Sequence, residues 1–331
     1  MRSIPFTFHT LDEERPGPGW QAVFERTWPW YREWFLSEGE HARPTYAACV
    51  RLLREHMPEL LPVYEDLVEL AGGGDLVARM LSNFTPPPYL AACSQGVWTR
   101  EGGPMLVRNY DYAPSRLEGT IWRSRLLDRR VIGMSDCLWG LLDGMNDAGL
   151  VVSLTFGGRR VLGEGFGIPL IVRYVLETCT TSREAHDALD RLPYALAHNL
   201  TIVDASGDVV TAFLGPDRGP IFSRSPVATN HQGFVEWPEQ ARATRTLERE
   251  QHILELLHAP YETAASFADA FLRPYLYSQA YDRGFGTLYT AVYRPLEGRV
   301  EYRWPSFAWA LSFDAFPEGA HEETLAEGSV A

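Results

Sequence analysis

Cysteine is scarce in this chain of 331 residues, which contains only four, at positions 49, 93, 137 and 179. No two of them stand in a C-x-x-C spacing, and this excludes the usual signature of a disulfide framework or a zinc site. We therefore expect free thiols, a reducing cytoplasmic location and no metal or other cofactor. Cys49, Cys137 and Cys179 lie in apolar stretches and are expected to be buried in the core.

Basic residues are also fewer than acidic ones, with 30 Lys and Arg against 43 Asp and Glu, which gives a formal net charge of −13. An acidic chain without a basic patch argues against a nucleic-acid partner. No apolar run reaches the ~18 residues that span a membrane, and the first twenty residues lack the apolar core and small-residue cleavage site of a secretory signal. The composition therefore predicts a globular protein without a nucleic-acid or membrane partner, and it leaves a homo-oligomer open.

The familiar short catalytic motifs are missing as well: no G-x-S-x-G elbow, no P-loop, no G-x-G-x-x-G after a strand and no H-E-x-x-H. Residues 19–84 carry leucines and aromatic residues at helical spacing, and "TPPP" at 85–88 interrupts this pattern. Beyond it come short strands joined by tight turns, with helices in pairs between them, which predicts an α+β layer architecture. The acidic, small-residue-rich tail from about 314 is expected to be loosely ordered.

The first predicted hairpin contains a cysteine near its start. Its strands "ACSQGVWT" and "PMLVRNYDY" flank the turn "REGG". With the turn centred near Gly102, Cys93 falls opposite Asp111, and Arg108 comes within side-chain reach of the thiol. A neighbouring cation lowers the pKa of a thiol and favours the thiolate. The spacing alone leaves two interpretations open, an activated nucleophile or a half-buried strand cysteine beside a surface ion pair.

The stretch "CSQGVWTREGGPMLVRNYDY" resembles the start of the mature chain in cysteine N-terminal nucleophile hydrolases. The most similar group is the acyl-coenzyme A:6-aminopenicillanic acid acyltransferase-like family, to which choloylglycine hydrolases and penicillin V acylases are related. Two later stretches, "GMNDAGLVVSLTF" at 144–156 and "VATNHQ" at 227–232, resemble further motifs of this family in the same order, and a helix with an S/T-x-x-R pattern follows. The resemblance covers roughly residues 90–260.

The resemblance implies a four-layer αββα sandwich, in which two stacked antiparallel sheets lie between helical layers. It also implies self-cleavage between Ala92 and Cys93, which would divide the chain into a helical pro-segment, 1–92, and a catalytic domain, 93–331. The pro-segment would be released or stay docked after cleavage, and its Trp- and Leu-rich faces favour docking. The new α-amine of Cys93, with a reference pKa of ~7.7–8.0, would serve as the general base.

Residue roles follow from the same resemblance. Cys93 corresponds to the nucleophile, Arg108 to the arginine beside the thiolate, and Asp111 to the aspartate that orients the α-amine. Asn230 corresponds to the side-chain donor of the oxyanion hole. Thr155 stands where the bile-salt branch carries an oxyanion asparagine, and this departure puts that donor in doubt and leaves a backbone N–H as its substitute.

A late arginine is expected too. Arg249 in "TLER" is the choice, because two leucines follow it at the family's spacing, while Arg242 and Arg245 remain open. Trp98 and Trp139 are expected to line an apolar acyl pocket.

The function implied is a linear-amide hydrolase or an amide-forming acyltransferase that works through a Cys93 thioester on an N-acyl amide. Water or an amine as acceptor distinguishes the two, and the sequence does not decide between them. The acidic chain disfavours coenzyme A as the donor. Two alternatives stay open: a cysteine peptidase that acts only on itself, and a non-catalytic protein that keeps Cys93 internal and binds a hydrophobic ligand.

Overall fold

The computed structural model describes residues 3–281 and 285–326. Within these ranges the helices are α1 (Pro18–Phe35), α2 (Tyr46–His56), α3 (Leu61–Leu70), α4 (Asp75–Leu81), α5 (Ile168–Thr178), α6 (Ser182–Leu189), α7 (Pro238–Thr244), α8 (Thr246–His258) and α9 (Ala264–Ala270). The strands are β1 (Ser3–Asp12), β2 (Ala92–Trp98), β3 (Met105–Tyr112), β4 (Thr120–Ser124), β5 (Val131–Asp136), β6 (Gly140–Asn146), β7 (Val151–Phe156), β8 (His198–Val203), β9 (Val209–Leu214), β10 (Ile221–Ser223), β11 (Val227–Ala228), β12 (Gly286–Arg294), β13 (Arg299–Trp304), β14 (Phe307–Ser312) and β15 (Ala320–Ala326).

The strands form two sheets. The larger has nine strands in the order β10-β9-β8-β7-β6-β5-β4-β1-β15, and the smaller has six in the order β11-β2-β3-β12-β13-β14. Neighbouring strands run antiparallel, with one exception among the described residues, the parallel pair of β1 with β4. Short turns of Gly, Asn and Asp join most neighbours, which is why the antiparallel arrangement could be predicted from the sequence.

The two sheets face each other and carry helices on their outer sides. Helices α5 and α6 pack on the larger sheet, and α8 packs on β2 and β11 of the smaller one. A Cβ at Gly96 would lie 2.8 Å from Ile253, so the glycine in β2 permits this close approach of α8. Between the sheets, Gln95 of β2 donates to the carbonyl of Ser153 in β7 at 3.2 Å. The predicted four-layer αββα sandwich is confirmed.

The two ends of the chain differ from the prediction. Residues 3–12 form strand β1, so the segment 1–92 is not helical throughout, although α1–α4 do fall within the helical stretch at 19–84. Strand β15 at 320–326 replaces the expected loose tail and pairs with β1. Mostly charged and small residues build β15, and the backbone of β1 supplies its hydrogen-bond partners, so its composition alone gave no strand signal. Residues 327–331 of the tail lie outside the described residues.

One local prediction was also wrong. The helix predicted to follow "VATNHQ" is divided into α7 and α8 at Arg245, which adopts a left-handed conformation with φ 52°. Cys137 is buried as expected and lies in the turn between β5 and β6, with φ 54°. Cys49 and Cys179 are buried as expected.

Candidate active site

The hairpin of β2 and β3 has a register one residue away from the predicted one. Cys93 pairs with Tyr110, and Asp111 pairs with Ala92. The turn between Trp98 and Met105 is symmetric about the Glu101–Gly102 bond rather than about Gly102, and this half-residue difference in the centre moves the pairing by one position. The thiol therefore shares its face of the sheet with Tyr110 and Arg108, whereas Asp111 points to the other face.

The Cys93 thiol is fully buried and lies 3.3 Å from Nη2 of Arg108. Burial raises the pKa of this thiol to about 11, against the lowering effect of the Arg108 guanidinium. The charge of Asp111 raises the pKa further, while Arg249 and the backbone N–H of Phe156 lower it. In the intact chain Cys93 is therefore a neutral thiol at physiological pH, with a cation already beside its sulfur.

Arg108 is held by a carboxylate on the facing sheet that the sequence analysis missed. Its Nη1 donates to Asp143 Oδ2 at 2.6 Å and to the carbonyl of Leu142 at 3.1 Å. The hydroxyls of Tyr289 and Tyr293 each donate to Asp143 at 2.5 Å. The signal available in the sequence was an acidic residue inside the apolar strand "GLLDGMN", where an unpaired charge would be costly.

The backbone of Cys93 is contacted on both sides of the residue. Its N–H donates to Asn230 Oδ1 at 3.1 Å, and its carbonyl accepts from Arg249 Nη1 at 2.8 Å. Arg249 Nη2 also donates to Asn230 Oδ1 at 2.6 Å. Asn230 follows β11 and Arg249 lies on α8, so two separate elements meet at the first peptide unit of the predicted catalytic domain.

Asp111 joins this group through Arg249 rather than through the sulfur. Its Oδ2 lies 3.4 Å from Arg249 Nη1, and its Oδ1 accepts from the Thr287 hydroxyl at 2.7 Å. Burial raises the pKa of Asp111, which Arg249 and Thr287 oppose. Ser94 Oγ accepts from Arg249 Nη1 at 2.8 Å. Ser94 and Thr287 are further members that the sequence analysis missed, because an isolated hydroxyl residue in a strand carries no signal of its own.

Among the three arginines left open by the sequence, the structure brings Arg249 to Cys93. Arg249 is only 4% exposed. Arg242 is exposed on α7 and lies 4.0 Å from Glu239, and the guanidinium of Arg245 lies over the ring of Tyr275 at 4.9 Å.

The Thr155 hydroxyl is already used within the protein. It donates to the carbonyl of Thr229 at 2.9 Å and accepts from Asn199 Nδ2 at 3.0 Å. A hydroxyl has one hydrogen to donate, so Thr155 has none left for an oxyanion. The neighbouring backbone N–H of Phe156 reaches the Cys93 thiol instead, and Asn230 Nδ2 donates to the carbonyl of Phe156 at 3.1 Å.

Trp98 and Trp139 do not line the aromatic cavity beside Tyr110, the strand partner of Cys93. The ring of Trp98 packs against Phe267 beneath α9, on the helix-covered side of the smaller sheet. Trp139 donates from Nε1 to the carbonyl of Leu81 at the end of α4. Both tryptophans are buried core residues in this structure.

An aromatic cavity is lined in part by Tyr110, the strand partner of Cys93, whereas Cys93 itself is not among its lining residues. Six aromatic side chains contribute to its lining, together with Arg116, Asp136 and Cys137; they are Trp30, Tyr31, Trp34, Tyr89, Tyr110 and Tyr112. Four of the six belong to the segment before Ala92. The cavity measures about 30 Å³, room for about two water molecules, so in the intact chain it is closed to an acyl group.

The segment before Ala92 is anchored to the rest of the protein by a buried polar network. The Tyr31 hydroxyl donates to Glu118 Oε1 at 2.5 Å and accepts from the Cys137 N–H at 2.7 Å. Asp136 lies beside it, 3.4 Å from the same hydroxyl and 3.6 Å from the Cys137 sulfur. Burial and the neighbouring charge of Glu118 raise the pKa of Asp136 to about 8.

Within residues 3–281 and 285–326, no three His, Cys, Asp or Glu side chains come together in a way that could hold a metal ion. No helix in the same ranges is both long and apolar enough to cross a membrane.

Two mainly antiparallel sheets stacked between helices form the αββα architecture of the N-terminal nucleophile hydrolases. The family model of acyl-coenzyme A:6-aminopenicillanic acid acyl-transferase matches residues 98–309, more than half of the chain, and the chain belongs to this family. The match begins after Cys93 and includes Arg108, Asp111, Asn230 and Arg249.

Three solved structures are similar at low sequence identity. Penicillin V acylase from Agrobacterium tumefaciens is 17% identical, with a TM-score of 0.49 over 67% of this chain and 86% of that one. A Caenorhabditis elegans ortholog of N-acylethanolamine-hydrolyzing acid amidase is 16% identical, with a TM-score of 0.45 over 69% and 98%. A variant of conjugated bile acid hydrolase from Clostridium perfringens is 13% identical, with a TM-score of 0.42 over 72% and 97%. No curated protein matches the chain.

Proposed function

We propose that this protein is a self-cleaving cysteine amidase or N-acyltransferase that acts on N-acyl amides through a thioester on Cys93. The observation that carries the proposal is the set of contacts around one residue. Arg108 lies at the sulfur of Cys93, Asn230 accepts from its N–H, and Arg249 donates to its carbonyl. A buried strand cysteine that only filled space would still need partners for its backbone N–H and carbonyl, but it would not need a cation at its sulfur.

In the maturation step, the Cys93 sulfur attacks the carbonyl carbon of Ala92. The peptide C–N bond breaks, the nitrogen takes up a proton and becomes the α-amine of Cys93, and residues 1–92 remain attached as a thioester. Water then hydrolyses the thioester, which frees the thiol and leaves a carboxylate on Ala92. Asn230 Oδ1, which accepts from this nitrogen at 3.1 Å in the intact chain, holds the leaving group.

In the mature protein the free α-amine takes the proton from the Cys93 thiol as it attacks the substrate carbonyl, because an amine of ordinary pKa near 8 is a base at neutral pH and an amide is not. Asp111, linked to residue 93 through Arg249, orients that amine. The second N–H of Asn230 Nδ2 is a donor for the oxyanion, and the backbone N–H of Phe156, which contacts the thiol in the intact chain, becomes a second donor when the sulfur bonds to the substrate carbon. The amine of the substrate leaves, and water or a second amine resolves the acyl thioester.

The substrate is a small-molecule N-acyl amide, and the aromatic rings around Tyr110, the strand partner of Cys93, favour an apolar group beside the amide once cleavage has widened the cavity that they line. The net charge of −13 disfavours a polyphosphate donor such as coenzyme A. Hydrolysis and transfer use the same site and differ in the acceptor alone. We place the protein in the cytoplasm, where its four free cysteines stay reduced.

Maturation can be tested with unusual precision, because the sequence contains no lysine. An amine-specific label on the denatured protein therefore reacts at chain N-termini only. The wild type should carry a second labelled amine on a chain that begins at Cys93, and intact mass should show two chains. Cys93→Ala should stay full length with one labelled amine, and the matched variant Cys49→Ala should mature normally.

Cleavage of Cys93→Ala at the same bond would assign the cut to a contaminating protease and contradict the proposal. A wild-type chain that stays uncut and releases no amine from a panel of aromatic and aliphatic N-acyl amides would favour the non-catalytic ligand-binding alternative. Cleavage without any turnover of the panel would favour the peptidase that acts only on itself.

A further inference from the structure

We propose that Asp143 is a positioning residue for the Cys93 thiol: it fixes the Arg108 guanidinium so that Nη2 stays on the sulfur. The inference rests on the proposed function, since it assigns a role in the activation of Cys93. Asp143 lies on β6 of the larger sheet, whereas Cys93 and Arg108 lie on the smaller one. The contact therefore crosses the space between the two sheets and couples the geometry of the thiol to their separation.

The side chain of Arg108 has few other anchors. It is completely buried, and its Nε has no hydrogen-bond partner among the residues that the structure describes. Nη1 is held by Asp143 at 2.6 Å, by the Leu142 carbonyl at 3.1 Å and by the Tyr289 hydroxyl at 3.4 Å. Asp143 is the charged group among these partners and makes the shortest contact. A charge-assisted hydrogen bond is about twice as strong as a neutral one. The position of Nη2 on the other side of the guanidinium depends on it.

Asp143 is itself rigidly held, as a positioning group must be. Its Oδ2 accepts from Tyr289 and its Oδ1 from Tyr293, both at 2.5 Å, and Tyr293 is bonded in turn to Tyr302 at 2.9 Å. The guanidinium carbon of Arg108 lies 5.0 Å from the ring centre of Tyr110 and 5.7 Å from that of Tyr289. These rings limit where the guanidinium can go while Asp143 fixes its direction.

Charge and geometry make opposite predictions for Asp143, and this makes the role testable. If Asp143 acted only as a nearby negative charge, its removal would favour the thiolate and lower the pKa of Cys93. If it acts by holding Arg108 at 3.3 Å from the sulfur, its removal frees the cation to move and raises that pKa. The sign of the change therefore separates the two roles.

The measurement is the pH dependence of Cys93 alkylation by iodoacetamide, followed on the Cys93 peptide by mass spectrometry. Asp143→Asn should move the inflection to higher pH by about one unit or more relative to wild type. An inflection that is unchanged or moves to lower pH would overturn the inference.

Tyr289→Phe keeps the carboxylate and removes one hydroxyl from its Oδ2. It should shift the inflection in the same direction by less, and it serves where Asp143→Asn does not fold. Asp128→Asn, at an exposed position on the β4–β5 loop, should leave the inflection unchanged.

A double-mutant cycle checks that Asp143 acts through Arg108. Asp143→Asn alone should lower kcat by about 10–10²-fold, in the range expected when a reacting group is misplaced by about 1 Å. In an Arg108→Gln background the same change should alter kcat by less than about twofold, because the group it positions is gone. Independent, additive losses would contradict the positioning role. Failure of the proposed function would appear differently, as a wild type that neither matures nor turns over substrate while its alkylation profile stays measurable.

Discussion

Asn230 Oδ1 accepts a hydrogen bond from the backbone N–H of Cys93 at 3.1 Å. This nitrogen becomes the α-amine in the proposed mature protein. The Asn230 side chain therefore binds the leaving nitrogen during maturation and lies at the reacting centre afterwards. Arg249 donates to the same oxygen at 2.6 Å and fixes the orientation of the amide. One N–H of Asn230 Nδ2 is bonded to the Phe156 carbonyl, which leaves the other for a ligand.

The first prediction concerns the chemistry assigned to Asn230. A donor aimed at an oxyanion bonds more strongly in the transition state than in the ground state, so Asn230→Ala should lower kcat and kcat/KM together by ~10²–10³-fold. The measurement is steady-state kinetics per matured molecule, with the matured fraction counted from the N-terminal label. An unchanged kcat per matured molecule, combined with lower thermal stability, would assign Asn230 a purely structural role.

The second prediction uses two arginines from the same stretch of chain. Arg249→Gln removes the cation between Asp111 and the Cys93 carbonyl and leaves a buried carboxylate without its charged partner, which costs about 3–5 kcal/mol of unfolding free energy. Arg242→Gln alters an exposed side chain and should change stability by less than about 0.5 kcal/mol. Urea unfolding and the maturation assay should therefore separate the two variants. Equal losses of stability in the two variants would show that the buried contacts of Arg249 stabilise the protein no more than an exposed side chain does.

The sequence was sufficient for the part of the site that lies on one hairpin and in short motifs. Cys93 and Arg108 are neighbours in space because a tight turn joins their strands, and turns have sequence signals. The exact register depends on where the turn closes, and that is set by backbone geometry which "REGG" does not specify. Asp111 therefore lies on the opposite face from the thiol, linked to it through Arg249 rather than directly beside it.

The parts that could not be predicted depend on contacts between distant segments. Strand β1 has a neighbour more than a hundred residues away and another more than three hundred away. Neither contact leaves a periodic pattern that composition alone identifies. Asp143 shows the same limit, because its importance arises from the stacking of one sheet on the other.

The third prediction follows from the place of β1 in the larger sheet. This strand lies between β4 and β15, so both of its edges are hydrogen-bonded to segments that follow Cys93. Departure of residues 1–92 after cleavage would leave two open strand edges and expose the rings around Tyr31. The two chains of the matured protein should therefore co-elute in native size-exclusion chromatography and separate in denaturant. Elution of an active 93–331 chain alone would contradict this.

The last prediction concerns the buried Asp136, whose pKa is raised to about 8 by burial and by Glu118. The folded protein holds this carboxyl protonated, whereas the unfolded chain ionises it near pH 4. Its contribution to stability is therefore fully present below about pH 4 and is lost as pH rises to about 8, by at most about 1.4 kcal/mol per pH unit. Asp136→Asn is neutral throughout and escapes this loss.

The difference in Tm between Asp136→Asn and wild type should shift in favour of the variant from pH 4 to pH 8 and level off above it. Asp128→Asn, exposed on the β4–β5 loop, should give a difference that does not change with pH. A difference for Asp136→Asn that is equally flat would show that this carboxyl is already ionised in the folded protein at neutral pH.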